Sequence, residues 1–130
     1  MVRRLPVLLA ALTLSVVSMA QSQDIIAQIT ETIKAGSAKE LTKFLNPTVD
    51  VTIEGKVENY SKAQAEFVLR DFFKAHPPNE FSIIHQGQSK GGQPFAIGQY
   101  KSQNETYRVW MKLKTADNQQ VVQEISFVKQ

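Results

Sequence analysis

No cysteine occurs among the 130 residues. This absence excludes disulfides, thiolate metal sites, a thiol nucleophile and lipid attachment at a lipobox cysteine. Histidine is almost as scarce. His76 and His85 are the only two, Pro77 and Pro78 stand between them, and no spacing resembles a metal ligand set. Glycine is sparse as well, and Gly87, Gly91, Gly92 and Gly98 fall in hairpin strands with no helix after them, so no phosphate-cradling loop exists. No metal and no cofactor are expected. Neither sign of charge dominates, with 15 basic against 12 acidic residues. Beyond Val17 no apolar run is long enough to span a bilayer.

What is present begins with an export address. Arg3 and Arg4 form a basic head, Leu5 to Val17 is an apolar run, and Ser18-Met19-Ala20 supplies the small residues that a signal peptidase reads. Residues 1–20 are therefore expected to be a cleaved signal peptide, and residues 21–130 a single exported domain, periplasmic or secreted. The arginine pair is an ordinary basic head rather than a twin-arginine signal, because the polar and apolar residues that surround that signal are missing. Removing it leaves 13 basic against 12 acidic residues, a net charge near +1. That balance does not suit a nucleic-acid partner. A domain of this length can hold itself together by its core alone.

Asp24 is placed to cap a helix carrying Ile25, Ile26, Ile29 and Ile33, and Gly36 to end it. Ser37, with Glu40 in the capping-box position, starts a second helix whose buried face is Leu41, Phe44 and Leu45, stopped by Asn46-Pro47. Val49 to Ile53 alternates as a strand, Gly55 breaks it, and Lys56 to Tyr60 can return as a short partner. Ser61 with Gln64 is a second capping box, opening a helix through Ala63, Phe67, Val68, Phe72 and Phe73 that Pro77-Pro78 terminates. Four strands follow over residues 81–88, 95–103, 106–114 and 121–128, with breaks short enough for hairpins. The expected architecture is α+β: two N-terminal helices, a strand, a helix, and a four-stranded antiparallel meander curved around the helices.

This order resembles the cone-shaped fold of nuclear transport factor 2, also classed as cystatin-like. More closely, Gly36-Ser37-Ala38-Lys39-Glu40-Leu41, Tyr60-Ser61-Lys62-Ala63-Gln64-Ala65-Glu66, Asp71-Phe72-Phe73 and Ala96-Ile97-Gly98 resemble a family of small exported bacterial proteins, a domain of unknown function in that superfamily. The resemblance covers nearly all of residues 24–128. Its motifs are caps, helix faces and strand cores, so they mark a scaffold and bring no catalytic role with them. Cystatins present a Gln-x-Val-x-Gly hairpin to proteases. Gln120 to Glu124 matches at Gln120 and Val122 but has Glu124 where the turn needs glycine, so inhibition is not expected.

The resemblance implies a pocket between sheet and helices, and strand parity nominates what faces it. Phe81, Ile83 and His85 share one row. Phe95, Ile97 and Gln99 form a second, Tyr107, Val109, Met111 and Leu113 a third, and Val121, Gln123, Ile125 and Phe127 a fourth. With Phe67 from the helix, the expected lining for a small apolar ligand is Phe67, His85, Phe95, Gln99, Tyr107, Met111 and Gln123. His85 and Tyr107 are the candidate acid–base pair of a small isomerase or lyase. No carboxylate joins them, because Asp50 and Glu124 fall on the other parity. The opposite, outer face carries Tyr100, Arg108, Trp110, Lys112 and Lys114, a tryptophan between cations, which suits a contact surface. Superfamily resemblance implies a homodimer there. The sequence thus leaves three uses open: a binding domain, a small pocket enzyme, and an accessory envelope protein.

Overall fold

The computed structural model describes residues 14–130, with side chains from Asp24 onward. The arginine head and the start of the apolar run lie outside the described residues. Three helices, α1 (Leu14–Lys34), α2 (Ala38–Thr42) and α3 (Lys62–Ala75), cover one face of a six-stranded sheet. The strands are β1 (Leu45–Ile53), β2 (Lys56–Ser61), β3 (Glu80–Gln88), β4 (Pro94–Ser102), β5 (Glu105–Ala116) and β6 (Gln119–Lys129), in sheet order β2-β1-β6-β5-β4-β3.

The C-terminal meander forms as expected, but the sheet around it is larger than expected. Glu54 and Gly55 both take positive φ, 54° and 77°, the conformation of a two-residue hairpin turn, so β2 returns as a full strand on β1. β1 in turn runs parallel to β6, which joins this hairpin to the meander. Asp24 is not an N-cap in the described chain. α1 already begins at Leu14, and the Asp24 carboxylate accepts from Gln28 Nε2 at 2.7 Å within the helix. The end of α1 is as expected: Gly36 at φ 65° donates to the Ile33 carbonyl and Ser37 N–H to the Thr32 carbonyl, the paired bonds of a Schellman cap.

Ser37 caps α2, but Glu40 turns to Lys43 instead of closing a capping box. α2 also ends sooner than expected. The Phe44 carbonyl accepts from Val122 N–H at 2.8 Å, so Leu45 is drawn into β1 and Pro47 sits within that strand, where its register with β6 is irregular. At α3 the capping box of Ser61 and Gln64 is complete in both directions.

Between helices and sheet, Ile29, Ile33, Leu41, Leu69, Phe72 and Phe73 meet Tyr100, Tyr107, Val109, Met111, Leu113, Ile125 and Phe127, all buried. Phe72 is the keystone, with ring centroids 4.3 Å from Phe127 and 5.2 Å from Tyr107. Each such side chain contributes about 1.5–3 kcal/mol on removal from water.

Candidate functional site

Strand parity decides which residues share a surface, and two bulges change it. In β3 the register passes from Ile83 opposite Gly98 to His85 opposite Ile97, leaving Ile84 as an extra residue. Ile83 therefore faces the helices and His85 the outside, where it is exposed. In β6 the register passes from Val122 opposite Leu113 to Glu124 opposite Lys112, and Gln123 is the extra residue. Val122 is buried in place of Val121 and Gln123, while Ile125 and Phe127 face the core as expected.

β4 contains no bulge, yet its facing is the reverse of the expected one. Ala96, Gly98, Tyr100 and Ser102 are buried, while Phe95, Ile97 and Gln99 lie on the outer face. Both parities of this strand carry apolar residues, so alternation alone could not choose between them. The phenol of Tyr100 turns inward and donates to the His76 carbonyl, which removes Tyr100 from the outer surface. Only β5 has its whole row as expected, with Tyr107, Val109, Met111 and Leu113 buried.

The expected pocket lining is therefore dispersed. Phe67 is 62% exposed on the solvent side of α3, beneath the Arg70 guanidinium at 5.2 Å. His85, Phe95 and Gln99 are outside, and Tyr107 and Met111 are packed in the core. Gln123 stands at its bulge and accepts from Gln93 Nε2 at 3.2 Å. His85 lines an open depression with Ile83, Ile84 and Gln86. A cleft of about 350 Å³ opens elsewhere, between α1, the α2–β1 connection and the β5–β6 turn, lined by Ile25, Lys43, Phe44 and Asn118 among others. Among the described residues no group of three or more His, Asp or Glu side chains is arranged to hold a metal.

His85 and Tyr107 lie on opposite faces. The histidine that meets Tyr107 is His76, at the end of α3. Its Nδ1 is 2.9 Å from Glu105 Oε1, and the Tyr107 hydroxyl lies 3.3 Å from Nδ1 and 3.4 Å from Nε2. Glu105 Oε2 also holds Lys129 Nζ at 2.8 Å. The hydrogen bond from Lys129, with a smaller one from His76, keeps the Glu105 carboxyl below the usual carboxylate range. Burial raises the Tyr107 phenol, and the Glu105 charge adds to the shift. Sequence reading missed this cluster because Glu105 and Lys129 become neighbours only through the β5–β6 register, in which Tyr107 stands opposite Lys129.

The outer face gathers the remaining candidates. His85, Ile97, Trp110, Ser126 and Thr52 form one cross-strand row, and Phe95, Lys112, Glu124 and Asp50 form the next. Phe95 stacks on Trp110 at 5.0 Å and 28°, with His85 5.5 Å from Phe95 on its other side. Trp110 Nε1 donates to Glu124 Oε1 at 3.0 Å. Lys112 is the directly opposed neighbour of Glu124, yet no ion pair joins the two. Val128, 48% exposed, extends the apolar surface beyond Arg108.

Comparison with known proteins bears on the scaffold. Residues 26–127 match the family described as a domain of unknown function, DUF4783. A DUF4783 family protein from Bacteroides uniformis has a similar structure, with 29% identity, a TM-score of 0.75, and coverage of 80% of this chain and 95% of that one. An NTF2-like protein of unknown function from Shewanella baltica shares the fold at 10% identity and a TM-score of 0.67, over 88% of this chain and 95% of that one. A domain of unknown function with a cystatin-like fold from Nostoc punctiforme does so at 11% identity and 0.62, over 87% and 76%. No curated protein matches the chain.

Proposed function

Because this chain belongs to the DUF4783 family, a family defined by a domain of unknown function, we propose its role from its own geometry: an exported, non-catalytic domain that binds a protein partner on its outer sheet face. Export rests on the first 20 residues as an address. The binding surface rests on one observation, the Phe95–Trp110 stack on the sheet face that the helices leave bare. Tryptophan and arginine, here Trp110 and Arg108, are among the residue types that anchor protein contacts. A small-ligand role inside the cone has less support, since the seven residues expected to line a pocket are spread over the core, the outer face and α3. The acid–base pair of His85 and Tyr107 loses its support for the same reason.

A photocrosslinking residue placed at position 110 tests this in the producing cell, with position 67 as an exposed control away from the sheet. A discrete protein adduct from position 110 and none from position 67 is the expected result. An adduct of twice the chain mass identifies a second copy, and any other mass a different protein. Equal yields from both positions, or none from either, would remove the outer face as the contact surface.

A further inference from the structure

Six cations elsewhere on the molecule each hold a carboxylate: Lys34, Lys43, Lys56, Arg70, Lys101 and Lys129. Lys39, Lys62, Lys74 and Lys90 hold none but are scattered over separate elements, whereas on the outer face of β5 three such cations stand in one row. Arg108, Lys112 and Lys114 have no carboxylate partner among the described residues. They flank Trp110 along a single strand, and at about 3.3 Å per residue the stripe from Arg108 to Lys114 is roughly 20 Å long. The strand carboxylates on that face are already engaged, Glu124 by the Trp110 indole, Asp50 by Asn59 Nδ2 at 2.8 Å and Glu80 by Lys101 Nζ at 3.7 Å. On the β4 side the stripe is bordered by Phe95, Ile97 and Gln99, which carry no charge.

From this layout, and resting on the outer-face reading above, we infer that the partner contributes an extended acidic segment. It lies along β5 on its β4 side, with carboxylates meeting Arg108 and Lys112 and an apolar side chain over the Trp110–Phe95 stack. The linear stripe fits a strand-like segment, since positions of one parity project to one face at regular spacing. Cations without internal partners give up no existing ion pair when they take an external carboxylate. A second copy of this chain fits less well, because each carboxylate its own outer face would bring, Asp50, Glu80 or Glu124, already has a partner. Attraction of this kind is between exposed charges, so it weakens with salt.

Trp110 is the only tryptophan, so its fluorescence reports directly on the stripe. The probes are a nine-residue peptide with glutamates on both sides of a central phenylalanine, and the same peptide with glutamine for glutamate. The acidic peptide is expected to shift Trp110 emission saturably and to weaken about tenfold between low and high salt, as screening of exposed charges requires. It should weaken by a similar factor in the Lys112→Glu/Lys114→Glu variant, but not in Lys74→Glu/Lys90→Glu, which changes cations elsewhere. Far-UV circular dichroism checks that both variants are folded. Binding of the glutamine peptide with equal strength, no response to the acidic peptide, or equal loss in both variants would overturn the inference. So would a stable dimer that the acidic peptide does not dissociate, or tighter binding to phosphatidylglycerol vesicles than to the peptide. If the peptide fails while the adduct at position 110 still forms, the outer face stands and only the acidic partner falls.

Discussion

Glu105 serves two partners at once, one oxygen to His76 at the end of α3 and the other to Lys129 at the end of β6. With the Tyr100 phenol on the His76 carbonyl, these bonds clasp the last turn of α3 to the sheet. The shifts define a pH window. Glu105 lies below its usual value of 4.5, so its contribution is complete above that pH and is lost as pH falls through the lower folded value. Lys129 lies above its usual 10.5, so its contribution is complete below that pH and is lost as pH rises through the higher folded value. Glu105→Gln should therefore lower the urea midpoint at pH 7, and the difference from wild type should shrink at pH 3. A difference equally large at both would mean that the charge plays no part. Tyr100→Phe removes a buried donor and should cost about 1 kcal/mol in urea unfolding, with little dependence on pH between 4 and 9.

At the scale of elements, close packing between strands can be tested at Gly98. A Cβ built there would lie 2.4 Å from Phe81 Cε1, so the Phe81 ring occupies the space a side chain would need. Gly98→Ala should destabilise by about 1–3 kcal/mol, the usual cost of overpacking. Combining it with Phe81→Leu should cost less than the two changes separately, a coupling that a double-mutant cycle measures. The same strands show what a sequence can and cannot convey. The capping box at Ser61, the Schellman end at Gly36 and the hairpin meander are local, and each was legible from neighbouring residues. The facing of His85 was not. It depends on the extra Ile84 in β3, and nothing in Ser82-Ile83-Ile84-His85 says which of two isoleucines stands outside the pairing. A bulge is a property of two paired strands, so parity drawn along one strand cannot find it. β4 failed differently, because apolar residues on both of its faces left alternation without a sign. Misplacing His85, Phe95 and Gln99 was enough to assemble a pocket lining from residues that do not share a surface.

For the whole molecule, the consequence is a sheet with two unequal apolar faces. One is closed by three helices around Phe72. The other bears Phe95, Ile97, Trp110 and Val128 among polar neighbours. Adjacent residues of β5 should therefore respond in opposite ways to the same change. Met111 is fully buried, so Met111→Glu places a carboxylate in the core at several kcal/mol, out of a total stability of about 5–15 kcal/mol for a domain. Trp110→Glu loses a ring stack and one hydrogen bond at the surface, about 1–2 kcal/mol together. Met111→Glu should abolish the cooperative unfolding transition. Trp110→Glu should keep that transition, together with a native far-UV spectrum, while losing the binding heat of the acidic peptide in isothermal titration calorimetry, a readout that does not depend on the tryptophan. Loss of the fold in both variants would mean that Trp110 belongs to the core and is not free to meet a partner. Persistence of the fold in Trp110→Glu alone separates the side of the sheet that holds the protein together from the side left for binding.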